Sequence, residues 1–507
     1  MKTYHTIKTL ALGGIAMFSL ASCSLDYEPL SEPSEITQGG QTETSTAVLK
    51  DKAAADAQLK SLYELFRNRQ EHTHLDYLLI GDSHSDNAYA GTTGAEVVPY
   101  ETNSIDASNS VLSRDWNRYL EDIAKANVLI NGVEQLKENG QISEAEYHSY
   151  KAQGEIFRAL MMFRMARLWG SFPVITTIAK TITSENINEV YPTYYPPRKT
   201  PKECYEQIIA DLTDAEQYAP DNDNSDRTKM TKTVAQAMLA KVYAEKEVQD
   251  YDKVIAYADK VMNTTGVELE DSYETLWGYD ETAIDCMKHN TKEGILEVHW
   301  SGGGNWETWM YGRQLDNWDY YFTWAKWITP SRDIINDFDK EGDEVRKNQA
   351  IVYYACTWSN YYPASNYPFM YKLRSSYNNI YWVRLADIIL MKAEAEAYKG
   401  NLAESAKLVN QIRKRAKLKE LTSDKTGSKE SMIEAVLHER RLELAFEGER
   451  WFDLCRNNKV EKYLNGIDNR DSGRIRQVRQ FDSNSYLLPI PQTALDQNTN
   501  LEQNPGY

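Results

Sequence analysis

Apolar residues in this chain recur mostly at spacings of three and four, the period of a helix with one buried face. From Arg384 to Lys399, Ala386, Ile389, Ala393 and Ala397 share a face, and Gly400-Asn401 supplies a stop and a turn. Leu402, Ala406, Val409 and Ile412 then mark a second helix, which the small alanines allow to approach closely. Ala235, Met238, Leu239, Val242 and Tyr243 predict another such helix. Its partner follows Gln249-Asp250, with Val254, Ile255, Ala258, Val261 and Met262. A third pair is expected at 115–136 and 145–169, with Trp116, Leu120, Ile123 and Ile130 on its first member. A helix around 203–218 is expected to pack with the 231–247 hairpin, and a helix from near Val48 through Phe66 to open the folded body. Hairpins of about 34 residues rich in Ala and Tyr are tetratricopeptide-like, and their irregular spacing here makes them degenerate repeats.

Between 264 and 380 the helical period largely stops. Gly, Asn and aromatic clusters replace it, with a strand predicted at Gly294–Trp300. Long irregular segments in compact proteins are usually functional, and this many aromatics argue against disorder.

The amino end follows a different pattern. Lys2 and Lys8 precede an apolar run from Thr9 to Leu20, followed by Leu20-Ala21-Ser22-Cys23. That order is a secretion signal with a lipobox. The expectation is cleavage before Cys23, removal of 1–22, and lipid attachment at Cys23. The run is too short to span a hydrocarbon core of about 30 Å. Residues 23–47, polar and Pro-containing, are expected to tether the body, 48–507, off the membrane.

Charge narrows the partners. Losing Lys2 and Lys8 and no acid takes the net charge from −18 to −20. That disfavours nucleic acid, which demands clustered Lys and Arg. The four cysteines after Cys23 are far apart and without CxxC pairing, so they read as buried thiols.

The composition is unusual in its 34 Tyr and 12 Trp. Residues 300–327 read WSGGGNWETWMYGRQLDNWDYYFTWAKW; ten of these 28 are aromatic and six are Trp. Flat rings beside amides and carboxylates suit a sugar, which has an apolar C–H face and a rim of hydroxyls. The candidate ligand residues here are Trp306, Trp309, Tyr311, Arg313, Asn317, Trp318, Tyr320 and Trp324. Trp300, Phe322 and Trp327 read as core, because they flank a strand and a helix start. A second polar segment, 81–100, offers Asp82, Asp86, Asn87 and Tyr89 as ligand-facing candidates. His72, His74 and His84 match no strong metal spacing, so no metal and no cofactor is expected. There is no HExxH, GxSxG or P-loop. No two of the many acidic residues stand out as a glycosidase pair, and no catalytic residue is assigned.

Three segments carry a family resemblance: Trp382–Ala397 (WVRLADIILMKAEAEA), His438–Arg456 (HERRLELAFEGERWFDLCR) and Leu488–Tyr507 (LPIPQTALDQNTNLEQNPGY). Together with Phe157–Thr176, Ser331–Arg346 and the lipobox, they resemble the SusD/RagB family of nutrient-binding outer-membrane lipoproteins. The resemblance implies a mainly α, SusD-like fold with about four tetratricopeptide-like hairpins. These would hold a loop-rich, variable ligand-binding half with few short strands, here about 264–380. It also implies a lipid-anchored, cell-surface outer-membrane protein, not an enzyme. Such a protein captures a glycan and passes it to a SusC-like TonB-dependent transporter. Peptide capture by the same machinery is the alternative; a surface glycosidase or a helical protein-binding scaffold is less favoured. Arg440, Arg441, Glu443, Glu447, Arg450 and Asp453 read as a structural charge network, not as site residues.

Overall fold

The computed structural model describes residues 49–91, 94–300, 327–357, 359–375 and 377–507. The 1–22 signal, Cys23 and the 23–47 tether lie outside them. The fold is mainly helical with a few short strands, as expected. Labels below cover helices of seven residues or more.

Helix α1 (Lys52–Asn68) is capped by Asp51, whose side chain accepts from the Ala54 N–H. It packs on the long α2 (Ser110–Glu138) and α3 (Glu144–Trp169). Ser143 and Glu146 close a capping box at the start of α3, satisfying donors that a helix start leaves open. Thr200 and Glu203 do the same for α4 (Pro201–Tyr218), where Pro201 occupies the first turn and has no N–H to satisfy. Next come α5 (Lys232–Ala244) and α6 (Tyr251–Met262).

The chain then leaves the helical stack for the irregular excursion. Within it lie strands β1 to β8, except that β1 (Ala88–Tyr89) comes earlier in the chain. The others are β2 (Tyr279–Asp280), β3 (Asp285–Cys286), β4 (Gly294–His299), β5 (Thr329–Pro330), β6 (Ile351–Tyr354), β7 (Tyr367–Met370) and β8 (Asn379–Arg384). Helices α7 (Arg332–Glu341) and α8 (Glu344–Ala350) separate β5 from β6. The strands pair two by two, all antiparallel: β1 with β5, β2 with β3, β4 with β8, and β6 with β7. β4 lies where the sequence predicts a strand.

The chain rejoins the stack at α9 (Leu385–Lys399), ended by Gly400 in the left-handed region (φ 85°), and continues through α10 (Leu402–Arg415). Helices α11 (Lys429–Glu443) and α12 (Arg450–Arg456) follow. Helix α9 packs on α6, α10 and α11. The stack therefore runs α2–α3–α4–α5–α6–α9–α10 without a gap, and 263–384 is an insertion between two helices that touch. The expected pairing of α2 with α3, α4 with α5, α5 with α6, and α9 with α10 is present.

The first part of the segment read as a polar loop, 81–91, is instead a buried bolt. It enters through π-helical turns at Glu71–Leu75 and Leu79–Ser83 and meets the turn between α11 and α12. Gly81 lies against Gly448 so closely that a Cβ on Gly81 would sit 2.2 Å from the Gly448 carbonyl oxygen. Backbone faces backbone, so no side chain can yield. Gly81→Ala is expected to lower stability by about 3 kcal/mol or more, above the usual range for overpacking. A fall in thermal midpoint, with the same far-ultraviolet circular dichroism below it, is the readout.

Candidate functional site

The aromatic segment is described only at its two ends. β4 delivers Trp300, 2 % exposed, whose backbone N–H donates to the Asn378 carbonyl at 3.1 Å. The described chain resumes at Trp327, half-buried and packed on the main core. Its carbonyl accepts from Ser83 Oγ at 3.0 Å. One end is thus held on the β4–β8 ladder and the other on the 81–91 bolt. Trp300 and Trp327 pack as the sequence reading expects. Trp306, Trp309, Tyr311, Arg313, Asn317, Trp318, Tyr320, Phe322 and Trp324 lie outside the described residues.

Next to β5 the structure shows an aromatic face that the sequence reading missed. It is built on β1, β5 and the β6–β7 hairpin. Tyr89 and Tyr361 stack with ring centroids 4.3 Å apart. The Arg332 guanidinium lies over the Tyr362 ring at 4.2 Å, and Tyr362 donates its hydroxyl to the Pro330 carbonyl at 2.8 Å. Tyr367 donates to Asn360 Oδ1 at 2.5 Å. Tyr353 and Tyr354, at the end of β6, are exposed at 38 % and 37 %. Residues 351–382 hold eleven aromatics in 32, a density like that of 300–327. That density was the signal available in the sequence; Tyr spread over a hairpin is less conspicuous than a run of Trp.

The charges bordering this face are already occupied. Glu101 accepts from the N–H groups of Ala90 (2.8 Å) and Ile475 (3.0 Å), and burial raises its pKa. Asp471 accepts from the Tyr89 hydroxyl at 2.5 Å. Burial pushes the Tyr89, Tyr361, Tyr362 and Tyr367 phenols above their ordinary value, so they stay protonated donors. Tyr89, Tyr361 and Tyr367 are buried and brace the face, and the rings open for stacking are Tyr353 and Tyr354. None of these groups is poised as a nucleophile beside a base.

Asp82, Asp86, Asn87 and Tyr89 do not face a ligand here. All four are 0 % exposed, and their polar groups are engaged inside the protein. Asp82 accepts from the N–H groups of Phe446 (3.1 Å) and Gly448 (2.9 Å) and from Asn87 Nδ2 (2.8 Å). It holds a turn in which Phe446 (φ 61°) and Gly448 (φ 81°) are left-handed. Asp86 receives both arms of Arg450, at 2.8 and 2.9 Å. Arg441 donates to Asn87 Oδ1 and to the Asp86 carbonyl, each at 2.9 Å. Asp86 and Asn87 are therefore the receptors of Arg441 and Arg450. Sequence alone did not show this because the partners stand more than 350 positions away.

Two of these carboxylates titrate in opposite directions. Burial raises Asp82 to about 6 despite its three donors. Burial would raise Asp86 too, but Arg441 and Arg450 outweigh it and hold Asp86 well below the usual carboxylate range. At Asp82 the folded state keeps a proton that the unfolded chain releases near pH 4. Stability therefore falls as pH rises from about 4 to about 6, by about 3 kcal/mol. At Asp86 the folded state gives up its proton more readily, so its contribution is complete above about pH 4 and is lost below it. Denaturant titration across pH is expected to show Asp82→Asn flattening the slope between pH 4 and 6. Asp86→Asn should flatten the fall below pH 4.

The three histidines are also internal. His72 Nε2 pairs with Asp122 at 2.8 Å, and His84 Nδ1 donates to the Tyr100 carbonyl at 2.6 Å. Burial lowers His74 to about 3 and His84 to about 4, so both are neutral. Cys204 and Cys356 are buried, whereas Cys286 and Cys455 are half-buried; the expectation of four buried thiols holds for two. Metal-type donors do converge at Asp285, Cys286 and His289, on β3 and the turn after it. Among the described residues no helix is long and apolar enough to cross a membrane.

Two family profiles match the sequence. One, described as the SusD family, covers residues 348–507; the other, described as "Starch-binding associating with outer membrane", covers 41–244. SusD-like protein P2 of Formosa agariphila is 27% identical over 440 residues, 79% of this chain and 81% of that protein. A SusD-like protein of Bacteroides ovatus is 24% identical over 441 residues, 78% of this chain and 74% of the relative. Among solved structures, a SusD superfamily protein from Bacteroides vulgatus superposes with a TM-score of 0.73 at 20% identity, covering 91% of this chain and 100% of its own. A laminarin-binding SusD-like protein superposes with a TM-score of 0.69 at 22% identity, covering 90% and 100%. At these identities the structural likeness shows the fold.

Proposed function

Since the chain belongs to the SusD/RagB family, we propose that it captures a glycan at the surface of the outer membrane. The glycan then passes to a SusC-like TonB-dependent transporter for import. The observation that carries this reading is the concentration of aromatic side chains on the excursion. Residues 300–327 and 351–382 hold ten and eleven aromatics, on an otherwise helical scaffold.

The ligand platforms are Trp306, Trp309, Tyr311, Trp318, Tyr320 and Trp324, with Arg313 and Asn317 meeting sugar hydroxyls. A platform that hides about 100 Å² of apolar surface contributes roughly 2.5 kcal/mol before ordering costs. Two or three such platforms give binding on the order of micromolar to millimolar. Glu101, Asp471 and Arg332 are paired inside the protein, and the exposed Tyr353 and Tyr354 rings offer stacking surface of the kind a glycan uses. The name of one structural neighbour, a laminarin-binding protein, and the starch-binding profile support the same class. Cys23 is the lipid anchor, 23–47 the tether, and 48–507 the body that meets both glycan and transporter. The role is capture, not catalysis.

A glycan and peptide array probed with the chain lacking residues 1–23 tests this. Glycan spots are the expected result. Peptide spots alone would move the reading to the peptide-importing alternative, and release of reducing sugar would move it to a glycosidase.

A further inference from the structure

We propose that Asp285, Cys286 and His289 bind one transition-metal ion, with Zn²⁺ the best fit. The proposal is independent of the glycan reading. Asp285 and Cys286 are consecutive on β3, and His289 follows Cys286 by three positions. Their ligand-type atoms all lie within 4.8 Å of one another. The sequence signal is the Cys286-x-x-His289 spacing directly after an Asp.

The hydrogen bonds around His289 determine which nitrogen is available. Asn379 donates its Nδ2–H to the Lys288 carbonyl at 2.6 Å, which fixes the orientation of its amide. Its Oδ1 then faces His289 Nδ1 at 2.6 Å, so Nδ1 carries the proton and donates. That leaves the Nε2 lone pair directed at Asp285 Oδ1, 3.1 Å away. Two acceptors at that distance need a proton or a metal ion between them.

A second ring stands alongside: the His299 centroid lies 4.3 Å from that of His289, and its Nε2 pairs with Glu297 at 2.7 Å. A divalent ion with one carboxylate, one thiolate whose proton leaves to solvent as the metal binds, and a neutral imidazole makes a site of zero net charge. Thiolate with imidazole selects zinc-like ions over calcium or magnesium. Asn379 supplies the outer hydrogen bond that orients metal-binding histidines.

Ligation requires small movements. Nitrogen and oxygen across a tetrahedral zinc stand ~3.4 Å apart, a few tenths beyond the present separation. Cys286 Sγ is 3.3 Å from Nδ1 and 3.6 Å from Nε2. Nearly equal distances place it over the ring, so it must turn about its Cα–Cβ bond toward the Nε2 side. Asp285 and His289 side chains are 39 % and 31 % exposed, which leaves room for that turn and for water as a fourth ligand. The bound ion would tie the β2–β3 hairpin to β8 through Asn379, one residue along the ladder from where β4 gives way to Trp300.

The test uses the full chain in detergent, stripped with a chelator, then dialysed against Zn²⁺ or Co²⁺. The expected result is one Zn²⁺ per chain by elemental analysis and a rise in thermal midpoint. Bound Co²⁺ should show a thiolate-to-metal charge-transfer band, absent in Cys286→Ser and kept in Cys204→Ser. His289→Gln should weaken binding by about 100-fold and Asn379→Ser by about 10- to 100-fold. Should a variant fail to fold, the cobalt band and zinc-dependent midpoint of the unaltered chain still decide. Zinc below one equivalent, cobalt bound without the band, or binding unchanged in His289→Gln would each overturn the proposal.

Discussion

Glu443→Gln is expected to destabilise the protein by about 3–5 kcal/mol, the loss seen when a buried ion pair is broken from one side. Three guanidinium groups converge on this carboxylate: Arg384 at 2.7 Å, Arg346 at 3.1 Å, and Arg415. Arg384 and Arg346 are no more than 1 % exposed and Arg415 is 4 % exposed at its side chain. The carboxylate is buried, which alone would raise its pKa. Arg415, Arg384 and Arg346 outweigh that and hold it well below the ordinary range. Gln keeps the shape and removes the charge, so the guanidinium groups of α10, β8 and α8 each lose one of their buried carboxylate partners. Domains are stable by only about 5–15 kcal/mol in total, so the loss is a large share of the whole and should show as a clear fall in thermal midpoint. The folded-state pKa is depressed, so the stabilisation is complete above the unfolded value near 4.3 and lost as pH falls. The gap between variant and parent should therefore close in acid. Glu64→Gln, which opens the exposed Lys60–Glu64 pair at 3.7 Å, should change stability by less than about 0.5 kcal/mol. Equal effects of the two substitutions would show that the interior network contributes nothing special.

Replacing Trp306, Trp309, Trp318 and Trp324 together by Ala is expected to abolish glycan capture and leave the fold intact. Each ring that stacks on a sugar is worth up to roughly 2.5 kcal/mol, so single replacements should weaken binding by about tenfold or more and the four together beyond detection. The described ends of the segment, Trp300 on the ladder and Trp327 on the core, stay in place in this variant. Circular dichroism and thermal midpoint should therefore match the parent. Glycan capture that survives all four changes would move the site to the tyrosine face of β6–β7. Changes on the helical faces that abolish capture instead would favour a protein-binding scaffold.

Much of the helical scaffold was legible in the sequence because each helix carries its own evidence. The faces of α5, α6, α9 and α10 repeat at three and four, and Gly400 ends α9; the capping boxes of Ser143 and Thr200 were there to be read and were missed. The strand at Gly294–His299 was legible for the same reason. The charge network of His438–Arg456 was legible as a network, since so many paired signs on an apolar helix demand partners. Arg440 meets Asp453 and Asp387 at 2.8 Å, and Arg456 meets Glu394 at 2.7 Å.

The partners themselves were not legible. Asp82, Asp86, Asn87 and Tyr89 read as an open polar loop because polar residues near Gly usually face water. Burying them is tolerable only where donors are waiting, and those donors are Arg441, Arg450 and the Phe446–Gly448 turn, at the far end of the chain. The exposed Tyr353 and Tyr354, and the meeting of His289 with Asn379 across 90 positions, depend in the same way on which strands pair.

Sequence by itself determined the period of the helices, the place where that period stops, the aromatic wealth of the excursion, and the family. Each of these is written within a few turns of chain. Tertiary structure alone decided that α6 touches α9, so that 263–384 is an insertion on a closed stack. It decided that 81–91 is a bolt rather than a binding loop, and that a thiol, an imidazole and a carboxylate meet beside β8. Desolvation is the physical reason: whether a polar group is a site or a strut depends on what covers it, and the covering groups come from distant parts of the chain.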